Sequence, residues 1–303
     1  MTKLPINSSN LRLLRLFNLV SLVLGCTLSA GALAEPVMWK AQKGQTTLFI
    51  YGTIHVGSQQ VTPLVPKVVD ALAQSDSLIV EALLNENITL KQQKQVTVKQ
   101  ALNPEQSSEL EAIANQSKLS YPALLEIAPW QAALTLQQVS FRQLNYLSDY
   151  GVDRQLMDWA ASNHLPQKGL ETLQFQIDLI AGQPDHGVDM LLQTIAEWPY
   201  NANNIQCLVT AWQTGDTNKL ESMMISGSYN EDFYQNFLVK RNRNWVEQLA
   251  TEEAYKTGTF FVAVGALHLA GSESVPHLLE QRGFEVEQVT DSEIAECSLK
   301  TND

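Results

Sequence analysis

Three short stretches limit what this chain can fold into more than any other feature. Thr47-Leu48-Phe49-Ile50-Tyr51, Leu78-Ile79-Val80 and Thr259 to Leu267 are almost wholly apolar, yet all are too short to span a membrane. Apolar runs of this length, bounded by turn residues and rich in β-branched and aromatic side chains, read as strands covered on both faces. Strands of that kind need helices above and below them, so these runs alone predict an α/β layout.

The rest of the sequence supplies those helices. Val37 to Gln42 and Thr46 to His55 are extended runs around Lys43-Gly44-Gln45, which reads as a hairpin. Thr62-Pro63 reads as the cap of a helix carrying Leu64, Val65, Val68, Val69 and Leu72 at helical spacing. Ser77 to Ala82 is a short strand, and 87–143 reads as helical throughout, with starts at Asn103-Pro104 and Pro129-Trp130. A helix from Gly151 to Asn163 precedes a short strand, Pro166 to Thr172, and helices resume to Trp245. Thr259 to Leu267, a helix from Val275 to Gln281 and a strand from Phe284 to Val289 end the order. The expected architecture is a mixed, mostly parallel central sheet covered by helices, with a large helical insertion. No Pro/Gly/Ser-rich linker divides the chain, so 35–303 reads as a single domain.

The first residues speak to destination. Lys3, Arg12 and Arg15 precede an apolar run from Leu16 to Leu28, no acidic residue comes before Glu35, and Ala32-Leu33-Ala34 offers small residues where a signal peptidase reads. Residues 1–34 are therefore expected to be a cleaved secretory signal peptide, and the rest periplasmic or held at the cell envelope. Asn18 and Ser21 interrupt the apolar run, which argues against an uncleaved anchor. Val23-Leu24-Gly25-Cys26 loosely matches a lipid-attachment signal, the less favoured alternative. Cleavage would remove three of the 20 basic residues and none of the 32 acidic ones. So acidic a chain, with no basic run, is a poor partner for nucleic acid or anionic lipid. Cys207 and Cys297, far apart and outside any metal-type spacing, read as one disulfide; two separate buried thiols are the alternative.

Four polar residues share one position in this layout. His55, Glu81, Glu171 and His268 each lie at or just past the C-terminal end of an expected strand. The crevice beyond those ends is where open α/β sheets bind ligands. Gly52-Thr53-Ile54-His55-Val56-Gly57 and Gly265-Ala266-Leu267-His268-Leu269-Ala270-Gly271 are near-copies of one Gly-x-x-His pattern. One such pattern is weak, and a lone strand-end histidine is usually a hydrogen-bonded structural residue; two at strand ends are stronger. Histidine nitrogen and carboxylate oxygen suit a divalent ion, with His55, Glu81 and His268 as the candidate ligands. A carboxylate inside Leu78-Ile79-Val80-Glu81-Ala82 needs a metal or an arginine to offset its burial. Glu171 either joins the site or caps the next helix. Arg241 pairs with a site carboxylate, steadies an oxyanion, or lies on a solvated helix face. His164, His186 and His277 have no companion motif and read as surface residues.

In this order and spacing the motifs resemble the TraB/GumN family. The resemblance is carried by Phe49 to Gly57, Val80-Glu81, Ala128-Pro129-Trp130, Gly151-Val152-Asp153, Gly169-Leu170-Glu171-Thr172 with Gln176, Trp212 to Asp216, Arg241-Asn242 and Val262 to Gly271. That family includes the Tiki metalloproteases and is distantly similar to erythromycin-esterase and ChaN-like proteins. The resemblance implies an α/β core in which the two histidines face each other, and for Tiki members a peptidase dependent on manganese or cobalt. It carries His55, Glu81 and His268 over as the catalytic or metal-binding set, with Arg241 assisting. The expectation is a metal-dependent hydrolase (manganese, cobalt or zinc), acting on peptides, with Glu171 or Glu81 as general base. The alternative is a non-catalytic envelope protein that binds a metal, haem or a peptide.

Overall fold

A computed structural model describes residues 34–59, 64–89, 96–227 and 231–300, which belong to one unit, Ala34–Asp303. The expected signal peptide, Cys26 and the Thr62-Pro63 cap lie outside the described residues. Six strands form one sheet: β1 Met38–Lys43, β2 Gln45–Thr53, β3 Ser77–Val80, β4 Gln167–Gly169, β5 Thr257–Gly265 and β6 Glu285–Gln288. Their order is β4-β3-β5-β2-β1-β6. The pairs β2/β5, β3/β5 and β3/β4 are parallel, whereas β1 runs antiparallel to both β2 and β6. The sheet is thus mixed and mostly parallel, as the apolar runs imply, with β1 the one reversed strand among those described. Gly44, at φ 59°, makes the tight turn that reverses the chain between β1 and β2.

Alternating side chains of the central strands feed two cores. Tyr51, Leu78, Val80, Phe261 and Ala263 face one side, where they meet Val68 and Leu72 of helix Pro66–Ala73 and Leu156 of helix Val152–Ser162. Leu48, Ile50, Ile79, Val262 and Val264 face the other, against Trp245 and Leu249 of helix Lys240–Thr251 and Leu279 of helix Val275–Gln281. Burial on both faces explains why these strands lack a polar alternation. A third core, built from Leu110, Ile113, Trp130, Leu136, Met190 and Leu191, belongs to the helical insertion between β3 and β4 and the helices after β4. The Cys207–Cys297 disulfide ties the C-terminal tail to helix Asn201–Gln213.

Several boundaries differ from expectation, each for a local reason. β3 stops at Val80, because Glu81 turns away into the crevice. The strand expected over Pro166 to Thr172 is only Gln167–Gly169, since the Thr172 hydroxyl accepts from the Phe175 N–H and starts a helix. β5 begins at Thr257 and ends at Gly265, after which Ala266–Leu269 tightens into a 3-10 turn. The stretch expected to be helical from residue 87 has no helix among its described residues before Val98.

Candidate functional site

The parallel register aligns the ends of the central strands. Thr53 of β2 pairs with Gly265 of β5, and Val80 of β3 lies between Ala263 and Gly169. Side chains that follow these ends therefore leave the sheet at one level, the usual ligand-binding edge of a parallel sheet.

Glu81, Glu171, Arg241 and His268 make one bonded cluster there. Arg241, on helix Lys240–Thr251, donates from Nη2 to Glu81 Oε2 at 2.5 Å and to Glu171 Oε1 at 2.6 Å. Its Nη1 donates to the Phe237 carbonyl at 3.0 Å and lies 3.3 Å from His268 Nε2. Phe237 sits in a π-helical turn, Gln235–Val239, and such a turn leaves carbonyls off the regular ladder. The Gly265 N–H donates to Glu81 Oε1 at 2.7 Å, and the Trp245 indole to Glu171 Oε2 at 3.1 Å. Gln176 bridges the two carboxylates, at 3.0 Å to Glu81 and 2.9 Å to Glu171. Side-chain exposure is 10% for Arg241, 8% for each glutamate and 7% for His268, so each charge is desolvated and must be answered from within.

His268 is locked by its neighbours. Its Nδ1 lies 2.5 Å from Asn242 Oδ1, and Asn242 is oriented by donating from Nδ2 to the Glu273 carbonyl at 2.7 Å. Nδ1 therefore carries the proton, and Nε2 presents a lone pair towards Arg241 and, 3.7 Å away, Glu81 Oε1. Burial lowers its pKa to about 3, with Arg241 and His55 adding to that and Glu81 opposing it. Burial on its own would raise Glu81; His268, Arg241, His55 and the Gly265 N–H outweigh it and hold Glu81 at about 2. Where His268 is neutral, Arg241 is the lasting counter-charge.

His55 stands apart, at the mouth. Its side chain is 73% exposed, and its Nδ1 pairs with Asp153 Oδ2 at 2.9 Å. Asp153 opens helix Val152–Ser162 and is fixed by the Thr53 hydroxyl, 2.6 Å from Oδ1. Gly151 is required here, because a Cβ would come within 2.5 Å of the His55 carbonyl oxygen. Asp153, by charge and hydrogen bond, raises His55 towards about 9. Solvent damps that attraction, so the direction is what matters.

Both histidines line one cavity of about 350 Å³, within the range of ligand pockets, with Glu81 and Arg241 at its polar end. Ile54, Phe141, Leu208, Phe233, Phe237 and Leu267 make its apolar walls. The residues fit a divalent ion in donor type, and each histidine has the Nδ1-to-oxygen anchor that metal-ligating imidazoles use. The donors are spread rather than closed around one point: no three His, Cys, Asp or Glu side chains among the described residues form a ready group.

All five residues expected from the sequence come to this edge, four bonded together and His55 beside them. Glu171 is ion-paired rather than a helix cap, and the cap is Thr172. His164 and His277 are exposed and His186 half-buried, none of them lining this cavity. Asn242, Trp245 and Gln176 were not expected as site residues, nor was Asp153 as the partner of His55. The signals were faint: Gly151-Val152-Asp153 opening a helix, and Asn242 directly after Arg241.

The family model for the TraB/PrgY/gumN family matches residues 37–288. The chain is 29% identical to the uncharacterized protein YbaP of Escherichia coli (strain K12) over 239 residues, 78% of this chain and 89% of YbaP. It is 30% identical to YbaP of Shigella flexneri over 233 residues, 76% of this chain and 86% of that protein. No solved structure matches significantly. With a family match that runs from β1 to the end of β6 and spans the whole strand-end cluster, the chain belongs to the TraB/PrgY/gumN family.

Proposed function

We propose that the chain is a cell-envelope hydrolase of peptide-type bonds whose strand-end residues hold a divalent ion. One observation carries this reading: the two Gly-x-x-His histidines, 213 positions apart, line the same cavity, each with its Nδ1 tied to a side-chain oxygen. His55, His268 and Glu81 would hold the ion, which when bound supplies an activated water. Arg241 helps keep Glu81 ionised, pairs with Glu171, and places a guanidinium where negative charge would develop on a substrate carbonyl. The apolar walls exclude bulk water and accept a hydrophobic side chain next to the scissile bond. His55 must lose a proton to bind an ion, so ion affinity should rise with pH.

The test is bound metal measured by mass spectrometry after loading with manganese, cobalt or zinc. The expected result is about one ion per chain by the open-site stoichiometry of catalytic metals, lost in His55→Ala and in His268→Ala while circular dichroism is unchanged. No ion under any loading sinks the proposal. A second reading, binding without turnover, draws on the pairing of both carboxylates with Arg241, since a carboxylate held at about 2 is a weak base. Ion or haem binding with no hydrolysis across a peptide library would favour it.

A further inference from the structure

A second cavity, of about 380 Å³, opens beside the first. Phe141, Leu208 and Leu267 line both, so they form a waist between two chambers. Leu267 immediately precedes His268, which places the waist next to the candidate chemistry. The far wall of the second chamber includes Leu299 and Lys300 of the C-terminal tail. From Val289 to Lys300 the tail has no helix or strand, and segments of that kind usually fray. This one is fastened along its length. The Ala295 N–H donates to Asp216 Oδ2 at 2.8 Å, Lys219 Nζ to the Cys297 carbonyl at 3.0 Å, and Asn203 Nδ2 to the Ser298 carbonyl at 2.8 Å. Asn204 pairs with the backbone of Lys300 in both directions, at 3.0 and 2.9 Å, and Cys297 is bonded to Cys207. The result is a fixed wall carrying a half-buried leucine.

We infer that the two chambers are one substrate trench whose distal subsite is walled by the disulfide-tied tail, and that its occupant is an extended peptide segment. One apolar side chain would sit beside His268 and a second under Leu299. This deepens, and rests on, the hydrolase reading above. Two features favour a peptide over an alkyl chain. Phe141, Leu208 and Leu267 divide the trench into two chambers, each roomy enough for a bulky side chain with its stretch of backbone, whereas an alkyl chain is served by one continuous tube. The second chamber also brings the Ser226 hydroxyl and Asn201 to its lining, and since Asn201 Nδ2 donates to Ser140 Oγ at 2.7 Å, its Oδ1 is the atom suited to a peptide N–H.

Calorimetric titration of the intact chain with two capped peptides of leucine and alanine, a dipeptide amide and a pentapeptide amide, tests this. In Leu299→Asp, pentapeptide affinity should fall about tenfold or more, while dipeptide affinity moves by less than about twofold. Leu299→Ala should give a smaller loss in the same direction, and circular dichroism confirms that both variants fold. Equal losses for the two peptides, or none for the pentapeptide, would overturn the trench. So would a fatty acid that binds more tightly than the pentapeptide and displaces it. Because binding is read rather than turnover, the two readings fail separately. Length-dependent binding without hydrolysis removes the hydrolase and keeps the trench. Hydrolysis indifferent to Leu299 keeps the hydrolase and removes the trench.

Discussion

The two Gly-x-x-His segments are near-copies in sequence and opposites in environment. His268 is 7% exposed, sits against Trp245 with ring centroids 4.5 Å apart, and is kept neutral by burial. His55 is 73% exposed and drawn towards the protonated form by Asp153. The same tetrapeptide pattern thus produces a fixed, neutral imidazole at the floor of the cavity and a solvent-facing imidazole drawn towards its charged form at the mouth. The difference lies in what each meets after its strand ends. β5 enters a 3-10 turn under helix Lys240–Thr251, whereas β2 leads into a surface segment held by the start of helix Val152–Ser162 and by a bridge from Gly57 to Leu147. A motif sets the reach of a side chain; its neighbours set the charge.

The largest way to break this comparison is Arg241→Met, which leaves Glu81 and Glu171 buried without their counter-charge. Unpairing a buried ion cluster costs about 3–5 kcal/mol, to be read by urea denaturation at neutral pH. Asp153→Asn on the exposed side should cost about 1 kcal/mol. Equal costs would mean that the floor and the mouth are not different in kind.

pH sharpens the contrast in sign. His268 titrates near 6.5 when unfolded and at about 3 when folded, so the unfolded chain binds the extra proton first. Its contribution to stability is intact above pH 6.5 and is lost as the pH falls from there towards 3. Glu81, lowered from 4.5 to about 2, adds a further loss between those values. His55 works the other way: its raised pKa stabilises below 6.5, and that benefit fades as pH rises towards about 9. Exposure makes the His55 effect the smaller one. Denaturation midpoints from pH 3 to 10 should show the upper acid leg vanish in His268→Gln and persist in His55→Gln.

The smallest effect is local. In Asp153→Asn the His55 imidazole should titrate back towards 6.5, followed by its ring proton shifts in NMR. An unchanged titration would mean that Asp153 orients His55 without tuning it.

Much of this was legible in order and little in contact. Leu78-Ile79-Val80-Glu81 announces a strand and a costly carboxylate because burial of an uncompensated charge is prohibitive. That its compensation is Arg241, 160 positions later, was only one of three readings, since an arginine on a polar helix face looks alike whether it points to solvent or to a carboxylate. Asp153 and Asn242 were less visible still: each matters through a single hydrogen bond to a histidine, and a single hydrogen bond leaves no periodicity behind.

The sequence by itself determined the two-sided sheet and the strand ends that carry His55, Glu81, Glu171 and His268, because apolar runs must be covered and polar residues must leave the core where strands stop. Only the tertiary structure decided that Arg241 joins both glutamates, that one histidine is buried neutral while its twin meets solvent, and that the C-terminal tail walls a second chamber. Periodicity is written in neighbouring residues; ion pairs, desolvation and cavity walls arise between residues far apart in the chain, and exist only once the fold has brought them together.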